Sequence, residues 1–353
     1  MSRKPRNASR AHWSRKDKLM LIERLEMYVS AGLAIDRALA AAAQGLSRKQ
    51  SASLDRVRLA VESGRNLSDA LPYEIRLQQA VIGLISAGES SGAIALTLRS
   101  AHDLMERQDE LVKKCLSAMT YPVVIGLAAI GLTIGLVRGV MPQIIPLLTG
   151  LHADLPLLTK IVIAVSQGFT TYGMYALIGL VIISLAGLWT YRKVNGVRWV
   201  IHRMLMSSPI VGSLVTRYAL AVFFQSIGAL VSSGMPADKA FRQTAPSIGM
   251  LPLRRRMEEA APSVNRGEPL HGVFERGMPA YIAPLVAAGE ASGSLGTSLL
   301  RAASILDREL DHSLKRLTAL IEPAMMLGMG GAVGSIALSI MMPIYDISRA
   351  LQH

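Results

Sequence analysis

The chain contains one sequence module twice, with the copies 201 positions apart. Residues 84–122 and 285–323 align without a gap, and 13 of the 39 aligned positions are identical. Each copy carries a Gly-Glu-x-Ser-Gly phrase and ends on a proline, Pro122 or Pro323, that heads a long apolar run. Because each unit of a sequence repeat is one supersecondary group, the fold must contain two copies of the same module, each joined to an apolar segment.

Three apolar stretches are long enough to cross a membrane. The chain is 51% hydrophobic but only 5% aromatic, a composition that suits helices packed in lipid or against one another. About 20 residues of apolar helix cross the hydrocarbon core of a bilayer. We therefore predict transmembrane helices at 121–141, 171–191 and 320–344.

The distribution of Lys and Arg predicts how these helices are oriented. Residues 1–120 carry 19 of these side chains and residues 192–319 carry 16, whereas residues 139–170 and the tail after residue 344 carry one each. Basic residues accumulate on the cytosolic side of a membrane. We expect the N-terminus and both large polar regions to be cytosolic, and the other two segments to be periplasmic.

The predicted fold class is all-α, because no segment shows the two-residue alternation of a β-strand. We expect a polytopic membrane protein with three transmembrane helices and two homologous cytosolic helical-bundle domains. The order is a basic N-terminus, a bundle, a span, a periplasmic segment, a span, a second bundle, a third span and a periplasmic C-terminus. The corresponding boundaries are 1–18, 19–120, 121–141, 142–170, 171–191, 192–319, 320–344 and 345–353.

The repeated Gly-Glu-x-Ser-Gly phrase is the candidate functional site, and it has two interpretations. In the first, Gly88 and Gly289 end a helix in the left-handed conformation. Ser91 or Ser292 then caps the following helix, with the glutamate near the positive end of that helix. In the second, the glutamate faces a partner or a neighbouring subunit. The predicted protein-interaction residues are Gly88, Glu89, Gly92, Gly289, Glu290 and Gly293.

Glycines recur at four-residue spacing in the first and third apolar runs. Small residues at this spacing lie on one helical face and permit close helix contact. The alternative is that glycine is simply frequent in membrane helices. Charged residues, which would line an ion or substrate path, are nearly absent from the runs. The predicted packing residues are Gly131, Gly135, Gly139, Gly330 and Gly334.

The sequence shows no catalytic, cofactor-binding or metal-binding motif. The absence of a Gly-Lys dipeptide excludes a standard phosphate-binding loop, and the seven histidines are scattered singly. The net charge of +13 comes from Lys and Arg that are concentrated in the two polar regions predicted to be cytosolic. Neither module contains a recognition motif for nucleic acid. We therefore predict a non-enzymatic protein that needs no cofactor and binds no nucleic acid.

Two cytosolic helical modules, each with a Gly-Glu-x-x-Gly phrase and a helix leading to a Pro-headed span, resemble the type II secretion F family. Its members are multi-pass inner-membrane platform proteins of bacterial type II secretion systems and type IV pili. The resemblance implies a bilayer-embedded homo-oligomer that couples a hexameric assembly ATPase to pilin or pseudopilin extraction, beside other inner-membrane assembly proteins. A small polytopic transporter or permease subunit remains the alternative.

Overall fold

A computed structural model describes residues 11–139, 195–208, 211–275 and 277–350, together with four isolated residues between 179 and 190. Within these ranges, the regular elements are helices, which confirms the all-α prediction. The chain divides into two compact units. The first unit comprises Met1–Lys113 and His202–Asp311, and the second comprises Lys114–Ile201 and His312–His353.

The first repeat forms six helices, and the first five pack on one another in sequence order, because short turns join neighbours whose apolar faces share one core. The first helix begins at a capping box, in which the Ser14 side chain accepts from the Asp17 backbone N–H and the Asp17 carboxylate accepts from Ser14 N–H. The helices are α1 (Arg15–Ser30), α2 (Ile35–Ala42), α3 (Arg48–Glu62), α4 (Leu67–Glu74), α5 (Gln79–Ser91) and α6 (Ile94–Gly139).

The second repeat forms six helices in the same order, preceded by one further helix. Helices α8 to α13 correspond in sequence to α1 to α6, and a short 3-10 turn, Ala245–Ser247, follows α9. The helices are α7 (Asn195–Ser207), α8 (Val211–Ser232), α9 (Ala237–Thr244), α10 (Leu251–Asn265), α11 (Leu270–Phe274), α12 (Ile282–Ala291) and α13 (Leu295–Ala350).

The two modules fill equivalent core positions with different side chains. The first uses aliphatic residues and the second uses aromatic ones, and all eight are buried. The four rings form a cluster with centroids 5.1 to 6.4 Å apart, mostly edge to face, a favoured geometry for aromatic pairs. Leu21, Ile22, Leu39 and Leu71 correspond in sequence to Phe223, Phe224, Phe241 and Phe274.

Three helices in the described part of the chain are long and apolar enough to cross a membrane. Two are α6 and α13, which carry the first and third predicted spans, and only 6% and 0% of their apolar windows are buried. Exposed apolar surface on this scale is typical of a lipid-facing helix. The third is α8, which has 56% of its apolar window buried and supplies two rings of the aromatic cluster, so we interpret α8 as a core helix.

Two predicted segments lie outside the described residues. These are the periplasmic segment at 142–170 and, apart from four isolated helical positions, the second span at 171–191. Helix α13 continues to Ala350, past the predicted end of the third span at residue 344. The chain is thus an all-α polytopic membrane protein whose first and third apolar runs continue helices of the two modules.

Candidate functional site

Glu89 of α5 caps the N-terminus of α4. Its Oε1 accepts a hydrogen bond from Leu67 N–H, and its Oε2 accepts from Ser68 N–H at 3.1 Å and from Ser68 Oγ at 2.5 Å. The first N–H groups of a helix have no partner inside the helix, and the Asn66 side chain, at the N-cap position, makes no capping bond. The glutamate therefore supplies from another helix the acceptor that α4 lacks.

Glu290 of α12 makes the equivalent contact with α11. Its Oε1 accepts from Leu270 N–H at 2.5 Å, and its Oε2 lies 2.6 Å from His271 Nδ1. The residue before α11 is Pro269, whose side chain cannot cap. The repeat thus keeps a carboxylate at the start of its fourth helix, while the partner side chain changes from Ser68 to His271.

The left-handed glycines of the phrase are not the predicted ones. Gly88 and Gly289 lie inside α5 and α12, whereas Gly92 and Gly293 follow those helices with φ of 72° and 68°. The prediction that Gly88 and Gly289 end their helices was therefore wrong. The helices continue for about one more turn, so the left-handed conformation falls on the second glycine of each phrase.

Gly88 and Gly289 are instead required where two helices cross. A Cβ atom on Gly88 would overlap Thr97 Oγ1 and lie 3.0 Å from Thr97 Cβ, and one on Gly289 would overlap Ser298 Oγ and lie 2.5 Å from Ser298 Cβ. Real Cβ atoms do not approach other atoms this closely, because protein interiors are already close-packed. Each glycine therefore lets the fifth helix of its module lie directly against the sixth.

The predicted capping by Ser91 and Ser292 was also wrong. Ser91 Oγ donates backwards to Ala87 O at 2.8 Å, and Ser292 Oγ donates to Ala288 O at 2.7 Å. Ser91 Oγ accepts from Ala93 N–H at 3.4 Å, one residue before α6 begins. A serine near a helix end can bond to the preceding turn as readily as to the next one. The glutamates accordingly lie at the start of an earlier helix, and not of the following one.

Together, the glutamate and the first glycine of each phrase fix the fifth helix against two neighbours. The carboxylate joins it to the fourth helix, and the glycine permits close contact with the sixth. Glu89 and Glu290 are both partly exposed, so the carboxylates are also within reach of a partner. Their role in protein interaction stays a prediction beside this intramolecular role.

A cation–carboxylate pair also joins the first and last helices of each module. Arg15 Nε lies 3.3 Å from Asp109 Oδ1, and the equivalent Arg217 Nε donates to Glu309 Oε2 at 2.9 Å. Burial, and then the neighbouring Glu309 carboxylate, raise the pKa of Tyr281 above its ordinary value. Among the described residues, each module thus has an ion pair between its first and last helices.

The two modules pack on each other through α5, which contacts α8 and α9. Gln243 Nε2 donates to Gln79 O at 2.9 Å. A Cβ atom on Gly83 would lie only 2.5 Å from the amide atoms Nε2 and Oε1 of Gln243, so the Gln243 side chain needs a glycine at this position. A second bond between the modules, from Gln108 Nε2 to Ser226 Oγ at 3.2 Å, is buried. The modules thus form one unit with a polar, closely fitted interface.

The predicted membrane-packing glycines have no neighbour across a helix in the part of the chain that the structure describes. No described atom lies within 4 Å of a Cβ built on these five residues. Gly126, which the spacing did not indicate, has Met325 Cε at 3.7 Å. Helix packing through Gly131, Gly135, Gly139, Gly330 and Gly334 stays a prediction.

One group of side chains in the described residues has the composition of a metal site. His102, Asp103 and Glu106 place one ligand atom each within 4.8 Å of the others. They lie at neighbouring positions of one helix, and both carboxylate side chains are exposed. This spacing brings such side chains together without a ligand, so we assign no metal to them.

A comparison with known families agrees with this architecture. The family model described as type II secretion system (T2SS), protein F matches residues 21–142 and 223–343. Each match begins in the first helix of a module and ends at the close of the apolar run that follows it. The chain belongs to the type II secretion system protein F family. The resemblance in the sequence is thereby confirmed.

The relatives of this chain include proteins of type IV pilus assembly and proteins of type II secretion. A type IV pilus assembly protein PilC of Thermus thermophilus is 33% identical over 340 residues, which cover 95% of this chain and 84% of the relative. A PilC of Myxococcus xanthus is 29% identical over 350 residues, covering 96% and 82%. A type II secretion system protein F of Aeromonas hydrophila is 28% identical over 335 residues, covering 94% and 86%. The family thus serves both pilus assembly and protein secretion.

Proposed function

We propose that this chain is the inner-membrane platform protein of a type IV pilus or type II secretion machine. It couples a cytosolic hexameric assembly ATPase to the extraction and polymerisation of pilin or pseudopilin subunits, without catalysing a reaction itself. Its N-terminus and both modules face the cytosol, and it assembles with copies of itself and with other inner-membrane components. The observation that carries the proposal is a duplicated helical module, matched twice by the protein F family model, whose last helix continues into an apolar run.

The length of the last helices supports mechanical coupling. Helix α6 runs for 46 residues and α13 for 56, each from a module core into an apolar run. A continuous helix with intact hydrogen bonds transmits a displacement along its axis, whereas a flexible linker absorbs it. The Glu89 and Glu290 caps hold the neighbouring helices in place, so that a force on a module reaches its last helix.

The experiment interrupts the helix just after the module. In one variant, Lys113, Lys114 and Cys115 are all replaced by glycine, and in the matched control they are all replaced by alanine. Both variants lose the same side chains, and both therefore lose the ion pair between Lys113 and Asp109, whose charged atoms lie 2.8 Å apart. Glycine costs about 1 kcal/mol per residue relative to alanine in a helix, so only the first variant contains a flexible joint.

We expect the glycine variant to insert into the membrane and to co-purify with the assembly ATPase, but to lose pilus assembly or secretion. The alanine control should retain these functions. Normal assembly by the glycine variant would contradict coupling through α6. Failure of the wild-type chain to co-purify with the assembly ATPase after mild crosslinking would contradict the platform role itself.

A further inference from the structure

The contact between the two modules uses only one of the two interfaces that a repeated module offers. Helix α5 of the first module packs on α8 and α9 of the second module. The helix equivalent to α5 is α12, and the helices equivalent to α8 and α9 are α1 and α2. A second contact of the same kind would place α12 on α1 and α2. Among the described residues, α12 packs on α11 and makes no comparable contact with α1 or α2. Among the residues that the structure describes, one face of each module is therefore left open.

Burial at equivalent positions identifies the open face of α12. Gly83 is buried beneath Gln243 of the second module, and its neighbour Leu84 is 0% exposed. The corresponding residues of α12 are Pro284, which is exposed, and Leu285, which is half-buried. Pro284 also borders a groove of about 370 Å³ between α11 and α12. This apolar surface is the counterpart of one that the protein covers in its other module.

The complementary open face lies on α1 and α2. Gln243 of α9, which covers Gly83, corresponds to Ala41 of α2, and Ala41 is half-buried. Its neighbour Ala40 is exposed, and Met27 of α1 is 52% exposed. In the second module, α8 and α9 cover α5. At the equivalent surface of the first module, α1 and α2 present small and flexible apolar side chains.

The side chains at the two open faces have complementary sizes. Inside the chain, glycine at position 83 makes room for the long Gln243 side chain. At the equivalent open positions, the larger Pro284 is matched by the smaller Ala41. Exchanging large and small residues across a contact preserves the packed volume, which is the condition that packed interfaces tolerate best. The side-chain volumes at this pair of positions are therefore compatible with the same contact between the open faces.

We infer that a second copy of this chain covers α12, placing its α1 and α2 on Pro284 and Leu285 and so repeating between copies the contact made within one. The inference rests on the proposed function, of which self-assembly is a part, and names the surfaces that assemble. The two faces differ, so the contact is heterologous. Such a contact continues from copy to copy until it closes into a ring.

The test uses disulfide crosslinking between differently tagged copies in membranes, in a Cys115→Ser background. One copy carries Ala41→Cys and the other carries Pro284→Cys. Cysteines bridge when their Cα atoms lie within about 7 Å. We expect a crosslinked dimer when the two copies are mixed, and no dimer when either copy is expressed alone. The matched control replaces Ala41→Cys with Leu59→Cys, an exposed position on α3, and should give no dimer with Pro284→Cys.

A second variant tests the same face without cysteine pairing. Ala288→Trp adds a bulky side chain on exposed surface of α12, so it should leave the fold intact and reduce self-association about tenfold or more. A dimer from Pro284→Cys alone would show a two-fold symmetric contact and overturn the inference. A mixed dimer no stronger than the Leu59→Cys control would overturn it too. Crosslinking needs no ATPase, so its failure leaves the coupling test at residues 113–115 unaffected.

Discussion

Replacing Glu89 by glutamine tests whether its carboxylate is needed as a cap. The carboxylate receives donors on both oxygens, with Leu67 N–H on Oε1 and both Ser68 N–H and Ser68 Oγ on Oε2. Glutamine has one acceptor oxygen and one amide nitrogen that only donates. In either orientation of the amide, at least one backbone N–H of α4 then faces another donor.

The expected loss of stability follows from these contacts. Leaving one partly buried N–H group without an acceptor costs about 1–3 kcal/mol. Removing a negative charge from a helix N-terminus adds about 0.3–1 kcal/mol. Because Glu89 is partly exposed, water relieves some of this cost, and we expect a total of about 2 kcal/mol for Glu89→Gln. For a folded unit of this size, that corresponds to a melting temperature about 4–8 °C lower.

The measurement is thermal unfolding of the detergent-solubilised protein, followed by circular dichroism. The matched control is Glu62→Gln, which removes an exposed carboxylate paired with Arg58 across one helical turn and should cost at most about 0.5 kcal/mol. If Glu89→Gln unfolds at the same temperature as this control, the capping account is wrong. If it is equally stable but fails to assemble pili, the carboxylate acts on a partner, as the sequence first suggested.

Three further predictions concern the membrane and the N-terminal cap. Gly131→Leu and Gly334→Leu should weaken self-assembly but not membrane insertion, because the added side chains are apolar but block close helix approach; unchanged assembly in both variants would exclude these glycines from helix contacts. Alkaline phosphatase should be active when fused within 145–160 and inactive after Gly64, and the reverse pattern would refute the topology. Hydrogen bonds from Ser14, first its backbone N–H and then its hydroxyl, lower the pKa of Asp17 below 3.8. The Asp17 carboxylate therefore stabilises the fold fully above pH 3.8, and this stabilisation disappears as the pH falls through the lowered pKa. Asp17→Asn should accordingly cost about 0.5 kcal/mol at neutral pH, and urea denaturation should show this difference shrinking in acid.

The sequence predicted the helical class and the repeat because both depend on local patterns. Long apolar runs, charge asymmetry and a gapless internal match are properties of neighbouring residues or of aligned segments. Glycine is a local signal for a helix end as well, and Gly32 after α1 and Gly234 after α8 both have φ of 88°. These signals depend little on tertiary structure, so they could be read before the fold was known.

The roles of the glutamates and glycines could not be predicted in the same way. The donors to Glu89 lie 21 and 22 residues upstream, and no local pattern connects them. The collision that excludes a side chain from Gly88 involves Thr97, on the next helix. A glycine next to a glutamate indicates a turn locally, but here the close approach of the next helix determines its role. The assignment needed the packed helices.

Divergence between the two modules separates what the repeat must keep from what it can change. Four core positions are aliphatic in the first module and aromatic in the second, and the side-chain partner of the capping carboxylate is Ser68 in the first and His271 in the second. The carboxylate itself and the glycine at the crossing are identical in both copies. A core can be packed with other apolar side chains of suitable volume. Few other residues can replace a glycine at a close helix contact or a carboxylate that caps a neighbouring helix. What the modules share is therefore the geometry by which the last helix leaves the module and continues into an apolar run, and this is the feature on which the proposed coupling depends in each module.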